Sequence, residues 1–217
     1  MWDTHSVCES AAEALCEEAA KRDEEQSPYG LDALDEVDLH PLLATGFERR
    51  GWGVLREQRY PNGAGRPRRS EGDRCDFVIT HEPGAHLLDP LLSGTLFADR
   101  GVDPAEALWV EVKAAHQHAL IGGVAGPDRG YASSLLTAAV SDIRKLGADA
   151  GIAHACLLLV MFTQDERVAR HDLGVWAHRC LDKGLPIRAP ATCAFTLSDR
   201  IGNGACLVAA VTVDRAG

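Results

Sequence analysis

The apolar positions of this chain recur first at helical and then at strand spacing. Over residues 6–25, Val7, Ala11, Ala14, Leu15 and Ala19 return every three or four positions with carboxylates between them. This predicts an amphipathic helix that ends in the polar stretch 22–27. A second helix is expected after Pro28-Tyr29-Gly30, with Leu31, Leu34, Val37, Leu42, Leu43 and Phe47 on one side and Gly51 as its stop. Pro41 either kinks this helix or opens its second half. Strand patterns follow at residues 53–60 (GVLREQRY), closed by a turn-rich loop at 61–67, and at residues 74–80 (RCDFVIT). An irregular segment, 81–107, contains Asp103-Pro104, which can cap a helical turn, and leads into a strand at 108–114 (LWVEVKA).

After a loose stretch at 116–133, Leu136, Ala139, Val140 and Ile143 give a helix over 134–146 with Gly147 as its stop. The unbroken apolar run 156–162 predicts a central strand covered on both faces. Thr163 and Glu166 have capping-box spacing and open a helix through Ala169, Leu173, Trp176 and Cys180, ended by Gly184 and Pro186. Residues 193–197 and 206–213 form a hairpin around 199–204. The order helix, helix, three strands, helix, strand, helix, two strands predicts a mixed α/β domain over residues 28–217, preceded by a helical extension at 1–27.

Composition narrows the class. With 217 residues and 46% hydrophobic side chains the chain can bury a core without staples. Its longest apolar run, 155–162, is far short of the roughly 20 residues a membrane span needs, so no membrane partner is expected. The seven cysteines include no C-x-x-C pair and several lie in apolar runs; they read as reduced thiols. The first residues lack the basic leader and apolar core of an export signal, and a cytoplasmic location is expected.

The formal charge of -10 argues against a uniformly cationic coat for nucleic acid, but its distribution changes that reading. Residues 1–48 carry 13 acidic and 2 basic side chains, whereas residues 49–74 carry eight arginines against three acids. The acidity belongs to the N-terminal segment, and a basic segment follows it.

Alternation in 108–114 puts Leu108, Val110, Val112 and Ala114 on one face and Trp109, Glu111 and Lys113 on the other. In 74–80, Cys75, Phe77 and Ile79 take one side and Asp76, Val78 and Thr80 the other. If the two strands are neighbours, Asp76, Glu111 and Lys113 converge. Two carboxylates suit a hard divalent cation, which polarises a phosphate, and an ammonium can orient water or offset developing charge. An acid and a base two apart on a strand also serve simply as cross-strand ion-pair partners.

Asp76, followed 35 positions later by Glu111-Val112-Lys113, resembles the motif of the PD-(D/E)xK nuclease superfamily, the restriction-endonuclease-like fold. The element order resembles that superfamily's αβββαβ core from about Leu31 to Phe162, although Arg74-Cys75 stand where a proline usually precedes the aspartate. The resemblance implies a mixed α/β sheet, to which this chain adds an N-terminal helix and a C-terminal hairpin. It implies a Mg²⁺- or Mn²⁺-dependent nuclease in which Glu36, Asp76 and Glu111 hold the metal and Lys113 positions the attacking water, with Asp38 as the alternative to Glu36. The substrate implied is DNA, less readily RNA. A catalytically silent member of the fold, acting as a binding or assembly module, is the alternative.

Arg66, Arg68 and Arg69, in the loop before the Asp76 strand, are candidate phosphate contacts, as is Lys145 on the helix that lines the substrate groove in this fold. Gln117 is a candidate for water or phosphate, or else a loop amide. Glu57, beside Arg56 and Arg59, reads first as a strand ion-pair partner and second as a metal ligand. His116-Gln117-His118 lacks a third ligand for zinc. The charge balance leads us to expect help from a second copy or from a protein partner with a basic surface.

Overall fold

Asp3 opens the first helix by accepting the His5 N–H on its side chain, and α1 runs Thr4–Glu24. A 3₁₀ turn, Leu31–Ala33, separates it from α2 (Glu36–Arg49). Then come β1 (Gly53–Arg59), β2 (Arg74–Thr80), β3 (Leu108–His116) and a small hairpin of β4 (His118–Ile121) and β5 (Val124–Pro127). A short turn α3 (Tyr131–Ser133) passes through a π-helical turn, Ser134–Ala139, into α4 (Val140–Ala148), followed by β6 (His154–Thr163), α5 (Glu166–Asp182), β7 (Ala191–Thr196) and β8 (Ala205–Val213). The computed structural model describes residues 2–61, 74–88 and 101–215.

The main sheet has the order β1-β2-β3-β6-β8-β7. Only β3 and β6 pair in parallel; the other neighbours are antiparallel, so the sheet is mixed. β6 sits between β3 and β8 and is apolar along its length because both of its faces are covered. Cys156, Leu158, Val160 and Phe162 pack toward α1 and α2, whereas Leu157, Leu159 and Met161 pack toward α4 and α5. The result is a three-layer α/β domain with one core on each face of the sheet.

α1 shares the first of these cores. Val7, Cys8, Ala11 and Leu15 are fully buried against β8, α2 and their neighbours. Its acidic face meets the end of α2, where Glu17 pairs with Arg49 and Glu9 and Glu13 with Arg50. The boundary expected after residue 27 therefore falls at a turn, and the helix before it supplies one wall of the core. Among the described residues no helix is long and apolar enough to cross a membrane.

Several elements differ from the sequence expectation for identifiable reasons. The second helix starts at Glu36, because residues 31–33 form a separate 3₁₀ turn, and Val37 is exposed. Pro41 lies inside α2, where its carbonyl accepts the Thr45 hydroxyl. The stretch after β3 holds the β4–β5 hairpin, closed by Gly122 and Gly123, both at positive φ as a two-residue turn requires. The π turn adds residues to one helical cycle and turns Leu135, not Leu136, into the core; the Leu135 carbonyl accepts the Trp176 indole N–H. Gly147 continues the helix instead of ending it. Asp165, not Thr163, caps α5 by accepting the Val168 N–H.

Candidate functional site

The site lies where β2 and β3 part. β2 pairs with β3 only at Phe77–Val110, Val78–Trp109 and Ile79–Leu108, while β3 continues to His116 alongside β6 alone. Beyond Glu111 the β2-facing edge of β3 has unpaired backbone N–H groups, and two carboxylates take them. Asp76 Oδ2 accepts the Val112 N–H at 2.7 Å, and Glu36 Oε2 accepts the Ala114 N–H at 2.9 Å. Glu36 is the first residue of α2, so the start of that helix is aimed at the gap in the sheet.

The geometry at Asp76 is irregular. Arg56 pairs with Phe77 and Gln58 with Cys75, so Glu57 stands opposite Asp76, and Glu57 has a left-handed backbone with φ 53°. Side-chain alternation in β2 breaks there: Cys75 and Val78 join the α4/α5 core, whereas Phe77 and Ile79 join the α1/α2 core. The expected grouping of Cys75 with Phe77 and Ile79 fails for this reason. β3 alternates as expected, and Glu111 and Lys113 point to the α4 side.

Lys113 Nζ lies 2.9 Å from Glu36 Oε1 and 3.6 Å from Asp142 Oδ2. Asp142, on α4 and 5% exposed, also accepts Lys145 Nζ at 2.7 Å. Lys145 in turn lies 3.8 Å from Glu111 Oε1, which accepts the Tyr60 hydroxyl at 2.5 Å. Burial first, and then the Asp76 charge, push Glu111 up to about 8, against the opposing pull of the Tyr60 hydroxyl and the Lys145 ammonium. Burial pulls the Lys113 ammonium down, but Glu36, Asp142 and Asp76 outweigh it and raise Lys113 above its ordinary value. Lys145 is raised by the same balance, with Asp142 and Glu111 as the carboxylates. Both lysines are therefore cations and hydrogen-bond donors, not bases.

Five of the residues singled out from the sequence, Glu36, Asp76, Glu111, Lys113 and Lys145, meet in this cluster. Asp38 is exposed on α2. Gln117 lies past the end of β3, where its Oε1 accepts the Gln164 N–H at 2.8 Å and its own N–H donates to Phe162; this is the role of a structural loop amide. Arg66, Arg68 and Arg69 fall outside the described residues. His116 hydrogen-bonds the Leu34 carbonyl and His118 donates its backbone N–H to Asn203.

Tyr60, Asp142 and His40 were not assigned from the sequence. Asp142 and Lys145 are three apart on one helix face, and Glu36 and His40 are four apart on another, so spacing carried a signal in both cases. His40, Glu57 and Asp76 each offer a ligand atom, and these atoms lie within 4.8 Å of one another, a group that can hold a metal ion.

The set that the resemblance assigns to magnesium, Glu36, Asp76 and Glu111, is all oxygen, as a hard cation requires. The bonds described above occupy both oxygens of Glu36, one of Asp76 and one of Glu111. Repulsion between Asp76 and Glu111 is part of what raises Glu111, and a cation beside them would relieve it. Asp76 and Glu111 each keep an oxygen outside these bonds, while both oxygens of Glu36 are engaged by Lys113 and the edge of β3.

No family model, curated protein or solved structure matches this chain.

Proposed function

We propose that this protein is a divalent-metal-dependent nuclease of the restriction-endonuclease-like type, acting on DNA in preference to RNA. The observation that carries the reading is the gap between β2 and β3. There Asp76 caps the free edge of β3, Glu111 is buried beside it, and Lys113 is held 2.9 Å from Glu36. The element order α2, β1, β2, β3, α4, β6, with the β4–β5 hairpin and α3 inserted before α4, supports this reading.

Asp76 and Glu111 would hold the ion, magnesium or manganese, and when bound it supplies Lewis acidity toward a phosphoryl oxygen. Lys113 stays protonated between Glu36 and Asp142, so it donates hydrogen bonds to the attacking water or to the phosphate and offsets negative charge that develops during hydrolysis. Lys145 adds a second ammonium within reach of Glu111 and is suited to a phosphate contact. Asp142 contacts both ammonium groups and offsets their repulsion. Among the described residues Arg59 and Arg74 line a cavity of about 390 Å³ together with Tyr60 and Trp109. Arg59 and Arg74 supply positive charge near the site.

The test is cleavage of single- and double-stranded DNA, and of RNA, with and without Mg²⁺ or Mn²⁺. Lys113→Ala should lower metal-dependent DNA cleavage by about a hundredfold or more while the variant still melts cooperatively. Cleavage retained in a folded Lys113→Ala protein, or cleavage unaffected by chelation, would overturn the proposal.

A further inference from the structure

We infer that His40, Glu57 and Asp76 form a site for a divalent transition ion of the manganese, cobalt or zinc type, with one nitrogen and two oxygen donors. The inference goes beyond the nuclease reading and does not depend on it, since it concerns binding alone.

Three local costs meet at this point of the fold. His40 is 3% exposed on α2, and neither of its ring nitrogens has a hydrogen-bond partner among the described residues. Leaving a buried polar group unpaired costs on the order of 1–3 kcal/mol. The ring packs edge-on against Phe77, with centroids 5.2 Å apart at 61°, a contact that fixes its orientation without engaging either nitrogen. Glu57 has a left-handed backbone, at φ 53°, in the middle of a strand, where glutamate has no reason of its own to adopt it. Glu57 and Asp76 also stand opposite each other on antiparallel strands, an arrangement that like charges disfavour.

One cation relieves the first and the last and offsets the second. It gives the imidazole a partner, neutralises the two opposed carboxylates and supplies a reason for the backbone that brings Glu57 to Asp76. The ligand atoms already lie within 4.8 Å of one another, so small side-chain adjustments bring them to a common ion. His40 is buried, Asp76 half-buried and Glu57 exposed, which leaves the solvent side open for entry and for further ligands.

The donor set decides the class of ion. Magnesium and calcium prefer oxygen throughout, whereas an imidazole nitrogen favours the later divalent ions, with affinity rising from manganese through cobalt to zinc and copper. The site differs from the oxygen pair on the α4 side. His40 reaches Asp76 from α2 and packs against Phe77 of the α1/α2 core, while Glu111 meets Tyr60 and Lys145 on the opposite face. Asp76 is common to both.

The experiment is calorimetric titration of the full, metal-stripped chain with MnCl₂, CoCl₂, ZnCl₂ and MgCl₂, each alone and without nucleic acid, with visible absorption read in the cobalt series. The wild-type protein should bind cobalt or zinc at least tenfold more tightly than magnesium and develop the ligand-field bands of bound cobalt. His40→Gln and Glu57→Asn should each weaken that binding at least tenfold. Asparagine tolerates the left-handed backbone and position 57 is exposed, so the second variant reads the site even if the first fails to fold. Absence of transition-ion binding would overturn the inference. So would affinity unchanged in both variants, or magnesium bound as tightly with the same dependence on His40. Because cleavage is not the readout, a failure here leaves the Lys113 test standing, and a failure there leaves this one.

Discussion

Glu36→Gln separates two roles for the first residue of α2. The magnesium set implied by the sequence motif makes Glu36 a ligand, whereas the geometry ties it to Lys113 Nζ through one oxygen and to the Ala114 N–H through the other, both at 2.9 Å. A neutral amide has one acceptor, so only one of those donors can be kept, and its NH₂ is set against the other. The side chains are 18% exposed for Lys113 and 30% for Glu36, so the ion pair is only partly screened. Losing a charge-assisted bond while keeping a neutral one costs about 2 kcal/mol. In a chain of this size that lowers Tm by roughly 4–8 °C. The assay is thermal melting in EDTA, where no metal ligand can be lost, run as a cycle with Lys113→Met. The two substitutions should be non-additive by about 1 kcal/mol or more. If Glu36→Gln melts with the wild type under chelation, or if the two effects simply add, Glu36 does not hold Lys113.

Gly46→Ala should destabilise despite the gain in helix propensity. A Cβ there would sit 2.7 Å from the Ser10 carbonyl oxygen and 2.9 Å from Ala14 Cβ, so α1 would have to shift, and overpacking of this kind costs about 1–3 kcal/mol; a thermal melt checks it. Asp32→Asn should stabilise the protein at neutral pH, with a gap that closes as pH falls. Burial raises the Asp32 carboxyl against the pull of its Asn203 hydrogen bond, so the folded state binds that proton more tightly than the unfolded chain. Its contribution is therefore favourable below the ordinary value of about 4 and is lost as pH rises through the folded one. Melts from pH 4 to 8 showing a constant or reversed gap would contradict the assignment.

The central strand and the acid-base alternation of β3 were legible because each rests on a period that burial enforces. Continuous apolar residues at 156–162 and alternation at 108–114 leave little freedom of interpretation. The convergence of Glu36, Asp76, Glu111 and Lys113 required adjacency of β2 and β3, which the local sequence does not encode. What escaped was whatever depends on departures from a period. The π turn before α4 moves Leu135 into the core, and the left-handed Glu57 breaks the alternation of β2 and brings a β1 carboxylate to Asp76. His40 was hidden in an apolar helix face, where a histidine ordinarily counts as one more buried side chain. The β4–β5 hairpin had an explicit signal in Gly122-Gly123, but its strands are only four residues each.

The pairing of α1 with α2 also changes the account of charge. Eight arginines between residues 49 and 74 make a basic segment, yet Arg49 and Arg50 are engaged by Glu17, Glu9 and Glu13 at the far end of α2. The acidic helix therefore neutralises part of the basic segment and holds α2 in place, and α2 positions Glu36 and His40. Of the arginines in the described residues, Arg59 and Arg74 remain beside the Tyr60 cavity. Around the β3 edge itself, Glu36, Asp76 and Asp142 stand against Lys113 and Lys145, so the cluster is net negative even with Glu111 protonated. A polyanion approaching such a surface gains little until a divalent ion is bound. On the nuclease reading proposed above, metal loading should therefore come before nucleic-acid binding, and the affinity for labelled DNA, titrated at rising salt, should fall steeply.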